Sequence, residues 1–166
     1  MIMKKKEIKL EYFEFENEKA LTPEEQDLLK NAIEAVDRSY APYSEFHVGA
    51  AVLLENGEIV CGSNQENAAY PSGLCAERVA LFYANSKFPN VAVKALAITA
   101  KADHFAVDQP IMPCGSCRQV IAETENRQQS EIKLIMKGTT GPVQVMNGIN
   151  TLLPFTFYEK KLQKKH

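Results

Sequence analysis

Leu74-Cys75-Ala76-Glu77-Arg78 and, further on, Pro113-Cys114-Gly115-Ser116-Cys117-Arg118 are the two stretches from which the rest of this chain is read. Each opens a run with helical spacing. Val79, Ala80, Phe82 and Tyr83 follow Cys75 as far as about Ser86, with Gly73 as a turn before it, and Val120 and Ile121 follow Cys114 as far as about Glu125. The spacing therefore predicts two helices, each begun by a cysteine. A thiolate there is favoured by the helix dipole and the free backbone N–H groups, and metal coordination drives deprotonation further. A structural zinc takes four protein ligands, whereas a hydrolytic zinc keeps one position for water. Three cysteines, Cys75, Cys114 and Cys117, fit the second kind. Glu77, on the first turn after Cys75, can face that water without ligating the metal.

Outward from these helices the chain alternates. Val93 to Thr99, Ile132 to Met136 and Val143 to Met146 are short, apolar and β-rich, as buried strands are. His47 to Leu54 and Glu58 to Ser63, joined through Asn56-Gly57, read as a β-hairpin. Leu21-Thr22-Pro23-Glu24-Glu25 combines an N-cap Thr, a Pro at the first helical position and a carboxylate three residues after the cap. The helix it starts should pack through Leu28, Leu29, Ala32, Ile33 and Val36 and stop before Ala41-Pro42. Ile8 to Phe15 alternates in part, as a strand or extended arm at a sheet edge would, and Ile149 to Leu153 reads as a short helix ended near Pro154. Strands alternating with helices imply an α/β fold, a sheet covered by helices.

The 166 residues fit one domain. With 45% hydrophobic and 24% charged residues and no apolar run long enough to span a bilayer, membrane insertion is not expected. The opening Met1 to Lys6 is basic, but Glu7, Lys9, Glu11 and Glu14 stand where a signal peptide needs its apolar core, so a cytoplasmic protein is expected. A net charge of -2 offers no general attraction to nucleic acid. Lys4 to Lys6 and Lys160 to Lys165 read as solvated basic ends. Four cysteines without an export signal point to metal binding or reactivity rather than disulfides.

Nucleobase deaminases that use zinc place a non-ligand Glu two residues after the first ligand and a Pro-Cys-x-x-Cys later. Here Cys75-Ala76-Glu77 and Pro113-Cys114-Gly115-Ser116-Cys117 keep that spacing with Cys as the first ligand. Glu77 would then move protons between water, a cytosine ring and the departing amine. Arg78 and Arg118, each directly after a cluster, could offset the net negative charge of three thiolates on Zn²⁺, or be ordinary surface arginines. Asn64 and Glu66, on one face if the strand stays extended, could grip a sugar diol or simply be a solvated strand end. Two other readings stand beside this one: an interaction protein with a structural zinc that takes Cys61 as fourth ligand, and a redox pair in Cys114 and Cys117.

Taken together, the motifs resemble the small cytidine deaminases with three cysteine ligands. The resemblance runs from about Leu21 to Phe157 and includes Tyr40-Ala41-Pro42-Tyr43-Ser44-Glu45-Phe46-His47-Val48-Gly49-Ala50-Ala51 and Asn64-Gln65-Glu66-Asn67-Ala68-Ala69-Tyr70. It implies a three-layer α/β/α domain with a mixed five-stranded sheet, flanked by an N-terminal extension (residues 1–20) and a basic tail (159–166). It implies one Zn²⁺ per subunit on Cys75, Cys114 and Cys117, with Glu77 as proton shuttle. Phe46 would pack on the pyrimidine, Asn64 and Glu66 would hold the ribose, and the backbone of Ala76 would address the base. It further implies a homotetramer with shared sites, to which Ala68, Tyr70 and Phe157 contribute from a neighbour. Pro71-Ser72-Gly73-Leu74 and the loop Lys101 to Met112 depart from the family pattern. An enzyme for an antibiotic nucleoside such as blasticidin S shares the cysteine motifs, and editing of a polynucleotide is disfavoured by the acidic balance.

Overall fold

The computed structural model describes residues 3–158, so the basic tail at 159–166 lies outside the described residues. The regular elements are β1 (Phe13–Phe15), α1 (Pro23–Val36), β2 (Phe46–Leu54), β3 (Ile59–Ser63), α2 (Ala76–Lys87), β4 (Val93–Ala102), α3 (Gly115–Gln128), β5 (Lys133–Lys137) and β6 (Val143–Asn147). Short 3-10 helices occur at Glu18–Ala20, Tyr70–Ser72 and Ile149–Thr151, the last being the short helix expected before Pro154, in 3-10 rather than α form. The strands form one sheet in the order β1-β6-β5-β4-β2-β3. Among the described strands, only β4 and β5 pair in parallel. The sheet is thus mixed as expected, but it has six strands rather than five, because Phe13–Phe15 of the N-terminal extension pairs with β6 at the edge.

Two apolar layers flank the sheet, divided by the alternation of side chains along each strand. Ala51, Leu53, Ala95, Ala97 and Ile135 pack with Leu28, Leu29 and Ala32 of α1. Ala50, Val52, Leu96, Ile98, Leu134 and Met136 pack with Ala80, Leu81 and Ala84 of α2 and Ile121 of α3. The result is three layers. Helix α1 starts as its sequence dictates: the Glu25 backbone N–H donates to Thr22 Oγ1 at 3.3 Å, and the Thr22 N–H donates to the Glu25 carboxylate at 2.9 Å.

Two helix faces differ from expectation. Ile33 is 46% exposed while Ala35 is buried. At about 100° per residue, Ala35 falls within the stripe centred on Ala32, whereas Ile33 lies well to its side. On α2 the buried stripe is Ala76, Glu77, Ala80, Leu81 and Ala84. Phe82 and Tyr83 face outward, 48% and 55% exposed.

The site owes its position to strand direction. Both β3 and β4 run antiparallel to β2, which lies between them, so they run parallel to each other. Helix α2 follows β3 and α3 follows β4. Both helices therefore begin at the same end of the sheet. Gly62 lets α2 come close: a Cβ there would lie 2.5 Å from the Ala80 nitrogen and 2.6 Å from the Ala76 carbonyl oxygen. Since both are backbone atoms, Gly62→Ala must push the start of α2 off the sheet. Overpacking of this kind costs about 1–3 kcal/mol, an expected fall in Tm of roughly 2–10 °C by calorimetry. An unchanged Tm would show that α2 tolerates the displacement.

Candidate metal centre and pocket

Cys75 and Cys114 are the N-cap residues of α2 and α3. Cys117 lies one turn into α3 and is fully buried. The Cys75 and Cys114 sulfurs are 3.8 Å apart and those of Cys114 and Cys117 3.5 Å, and all three lie within 4.8 Å of one another. Sulfurs about 2.3 Å from a tetrahedral zinc would be about 3.8 Å apart, so the cluster fits that ion. Cys61 is not in it. The Cys61 thiol points to the Asn31 carbonyl of α1, 3.8 Å away, and packs in the layer on the opposite face of the sheet. A four-cysteine structural site is therefore ruled out by the fold.

The cluster is prepared for negative charge. Cys117 and Arg78 hydrogen bonds, the first the larger influence, lower the Cys75 thiol to about 5. The same hydrogen bond raises Cys117, together with its burial. Arg78 Nη2 donates to Cys75 Sγ at 3.6 Å, while its Nε is buried without a partner among the described residues. An unpaired buried donor costs about 1–3 kcal/mol, so attraction to a thiolate must offset it. Arg78 is thus the cation in direct hydrogen-bond contact with the cluster among the described residues. Arg118 is aimed elsewhere: its Nε donates to the Pro113 carbonyl at 2.8 Å and its Nη1 to the Leu152 carbonyl at 2.9 Å. Those two carbonyls, not a sulfur, are its observed partners, so it ties α3 to the C-terminal segment.

Glu77, on the first turn of α2, is 4% exposed. Burial pushes its carboxyl above the ordinary value, and the nearby Cys75 adds to the rise. A buried carboxyl raised in this way suits a group that exchanges protons with a bound water and substrate. It faces a cavity of about 760 Å³ whose lining includes Phe46, Asn64, Glu66, Tyr70, Cys75, Glu77, Arg78 and Cys114. Motifs far apart in sequence thus converge on one chamber.

Asn64 and Glu66 are more than strand-end polar groups. Val48 donates its backbone N–H to Asn64 Oδ1, and Asn64 Nδ2 donates to the Phe46 carbonyl, both at 2.8 Å. The backbone N–H groups of Tyr43 and Ser44 donate to Glu66 Oε2 at 2.9 and 3.3 Å, and the Ser44 hydroxyl donates to Oε1. These bonds, led by that of Ser44, hold the Glu66 carboxyl below the ordinary value. Both side chains are oriented before any ligand arrives. Ser44 was missed from sequence because its role needs Glu66, brought close only by folding. Phe105, also missed, lies nearly parallel to Phe46, ring centroids 6.2 Å apart.

Ala76 is buried at the first position of α2, beside the cluster. Tyr70 sits on the rim of the cavity, 78% exposed. Ala68 and Phe157 are exposed and do not line it. The Phe157 carbonyl accepts a hydrogen bond from Gln119 Nε2 at 2.7 Å, which fixes the C-terminal segment along α3.

Residues 22–130 match the cytidine and deoxycytidylate deaminase zinc-binding region. A cytidine deaminase of Halalkalibacterium halodurans is 41% identical over 132 residues, spanning 80% of this chain and 92% of that protein. Another, from Sporosarcina psychrophila, is 39% identical over 137 residues, 82% of this chain and 93% of that one. The crystal structure of cytidine deaminase from Burkholderia pseudomallei superposes with a TM-score of 0.68 at 35% identity, over 79% of this chain and 97% of that one. Zinc content measured after exhaustive dialysis should be unchanged in Cys61→Ser and lost in Cys114→Ser. Loss in Cys61→Ser would return that residue to the ligand set.

Proposed function

The chain belongs to the cytidine and deoxycytidylate deaminase family, and from that premise we propose that it is a zinc-dependent hydrolase converting cytidine, 2′-deoxycytidine or both to the uracil nucleoside and ammonia. The observation that carries this reading is a buried carboxyl, Glu77, beside three convergent thiols on the wall of a nucleoside-sized cavity. Cys75, Cys114 and Cys117 would hold the zinc, which supplies Lewis acidity that makes water nucleophilic at neutral pH. Arg78 balances the charge of the three thiolates. Glu77 accepts the proton of the attacking water and passes it to N3 of the ring. It then carries the second proton to the exocyclic amine, which leaves as ammonia.

Phe46 provides the apolar wall for the pyrimidine, and the Ala76 backbone meets the polar edge of the base. Among the described residues Asn64 keeps a second amide hydrogen free and Glu66 one unfilled acceptor site, so the two can hold the hydroxyls of a ribose. The fit to a free nucleoside favours salvage of pyrimidines over polynucleotide editing. Four free thiols suit a reducing compartment such as the cytoplasm. Among the described residues no helix is long and apolar enough to cross a membrane.

We also place the protein in a homotetramer with shared sites. Exposed Ala68 and Phe157, outside the chamber of their own chain, and exposed Tyr70 on its rim are what a site completed by neighbours would leave uncovered in one subunit. Dilution to monomers should then abolish turnover, as followed by activity against sedimentation. A fully active monomer would refute shared sites.

The central experiment follows ammonia release from cytidine, deoxycytidine, blasticidin S and a cytosine-containing oligonucleotide, with zinc-loaded protein. Turnover of the first two is expected. Glu77→Gln should retain zinc and lose about 10²–10⁴-fold in kcat, the usual weight of a general acid–base group. An active Gln variant would sink the assignment.

A further inference from the structure

Ahead of β1, residues 3–12 carry no regular secondary structure and are exposed throughout. Their ion pairs nevertheless reveal the backbone. Lys5 meets Glu7 at 2.9 Å and Lys9 meets Glu11 at 2.6 Å. Residues two apart share a face only when the chain is extended. Lys5, Glu7, Lys9 and Glu11 therefore form a charged face, and the other carries Ile8, Leu10 and Tyr12, 53%, 48% and 53% exposed, preceded by Lys4 and Lys6. This arm runs directly into β1, which pairs with β6 on one edge and ends the sheet on the other. Among the described residues, no backbone hydrogen bond of residues 3–16 is made apart from that pairing. A long edge with unpaired N–H and C=O groups and an apolar face is a template for strand addition.

We infer that residues 4–16 pair antiparallel with the same segment of a second copy of this chain, about a two-fold axis through Leu10. The charge pattern selects both occupant and register. With the axis at Leu10, Lys9 stands opposite the partner's Glu11, Lys6 opposite the partner's Glu14 and Lys4 opposite the partner's Glu16. Ile8 stands opposite the partner's Tyr12, and the two Leu10 side chains meet at the centre. Directly opposite residues share a face, so an apolar centre is closed at both ends by ion pairs.

Neighbouring registers fail. A two-fold axis must pass at a residue, because hydrogen-bonded and non-hydrogen-bonded pairs alternate along the ladder. Moving it to Glu11 sets that carboxylate against its own copy. Moving it to Lys9 sets lysine against lysine and Glu7 against the partner's Glu11. Only the central register, among these three, avoids like charges, and two-fold symmetry then repeats each favourable pair. The contact lies on the opposite side of the sheet order from β3 and does not depend on the catalytic reading.

The test uses the full, zinc-loaded chain with Leu10→Cys and a short bis-maleimide, the unsubstituted chain setting the background. Cross-linking between chains through position 10 is expected. Adding Glu11→Lys, or adding Lys9→Glu, turns the two symmetry-related 9–11 pairs from attractive to repulsive and should reduce the cross-linked fraction about tenfold at subsaturating concentration. Mixing those two variants in equal amounts should restore it, because one chain then carries only positive charge at positions 9 and 11 and the other only negative. An ion pair within one chain cannot produce that rescue. Absence of cross-linking dependent on position 10, indifference to either reversal, or failure of the mixture to recover would each overturn the pairing.

Discussion

Two strands separated by a common antiparallel neighbour must point the same way, and the helices that leave them must begin at the same end of the sheet. Here those strands are β3 and β4, with β2 between them. The consequence is chemical. Two helix N-termini, with their positive dipole ends and free N–H groups, are directed at one small volume, and each is capped by a cysteine. A third thiol one turn into α3 completes a set spaced for a tetrahedral ion. No other feature of the site could function without this convergence.

The distances involved leave little freedom. At Gly62 the backbone of α2 lies against β3 so closely that a methyl group would strike two main-chain atoms. That approach buries Ala76 and Glu77 at the start of α2. Burial then does electrostatic work, because a carboxyl removed from water and set near a thiolate resists ionisation. Arg78 lies against the same cluster, its Nη2 donating to Cys75 Sγ. Packing of small residues and tuning of a titratable group are therefore one arrangement seen at two scales.

The opposite wall of the chamber is built by hydrogen bonding rather than by apolar contact. Asn64 closes onto the backbone of β2 and Glu66 onto the Tyr43-Ser44 turn. These bonds immobilise the side chains, so the cost of ordering them is met in folding and not on binding. Phe105, from the loop after β4, stacks near Phe46 on the same side.

Local patterns were legible wherever a residue acts through its near neighbours. Thr22-Pro23-Glu24-Glu25 starts α1, Asn56-Gly57 turns the hairpin, and Cys75-Ala76-Glu77 with Pro113-Cys114-Gly115-Ser116-Cys117 announces the metal chemistry, because caps, turns and ligand spacing are short-range constraints. Other features depended on elements meeting in space. Arg118 looked equivalent to Arg78 but reaches the Leu152 carbonyl, since the two arginines stand on different helices with different neighbours. Cys61 was a possible ligand until the alternation of β3 turned it to the α1 face. An edge strand was legible in Ile8 to Phe15, but that only Phe13–Phe15 of it joins the sheet depended on where β6 offers an open edge. Spacing along the chain settles which groups are available. Which of them share a volume, and how much water they keep, depends on strand direction and on how closely the helices can approach the sheet.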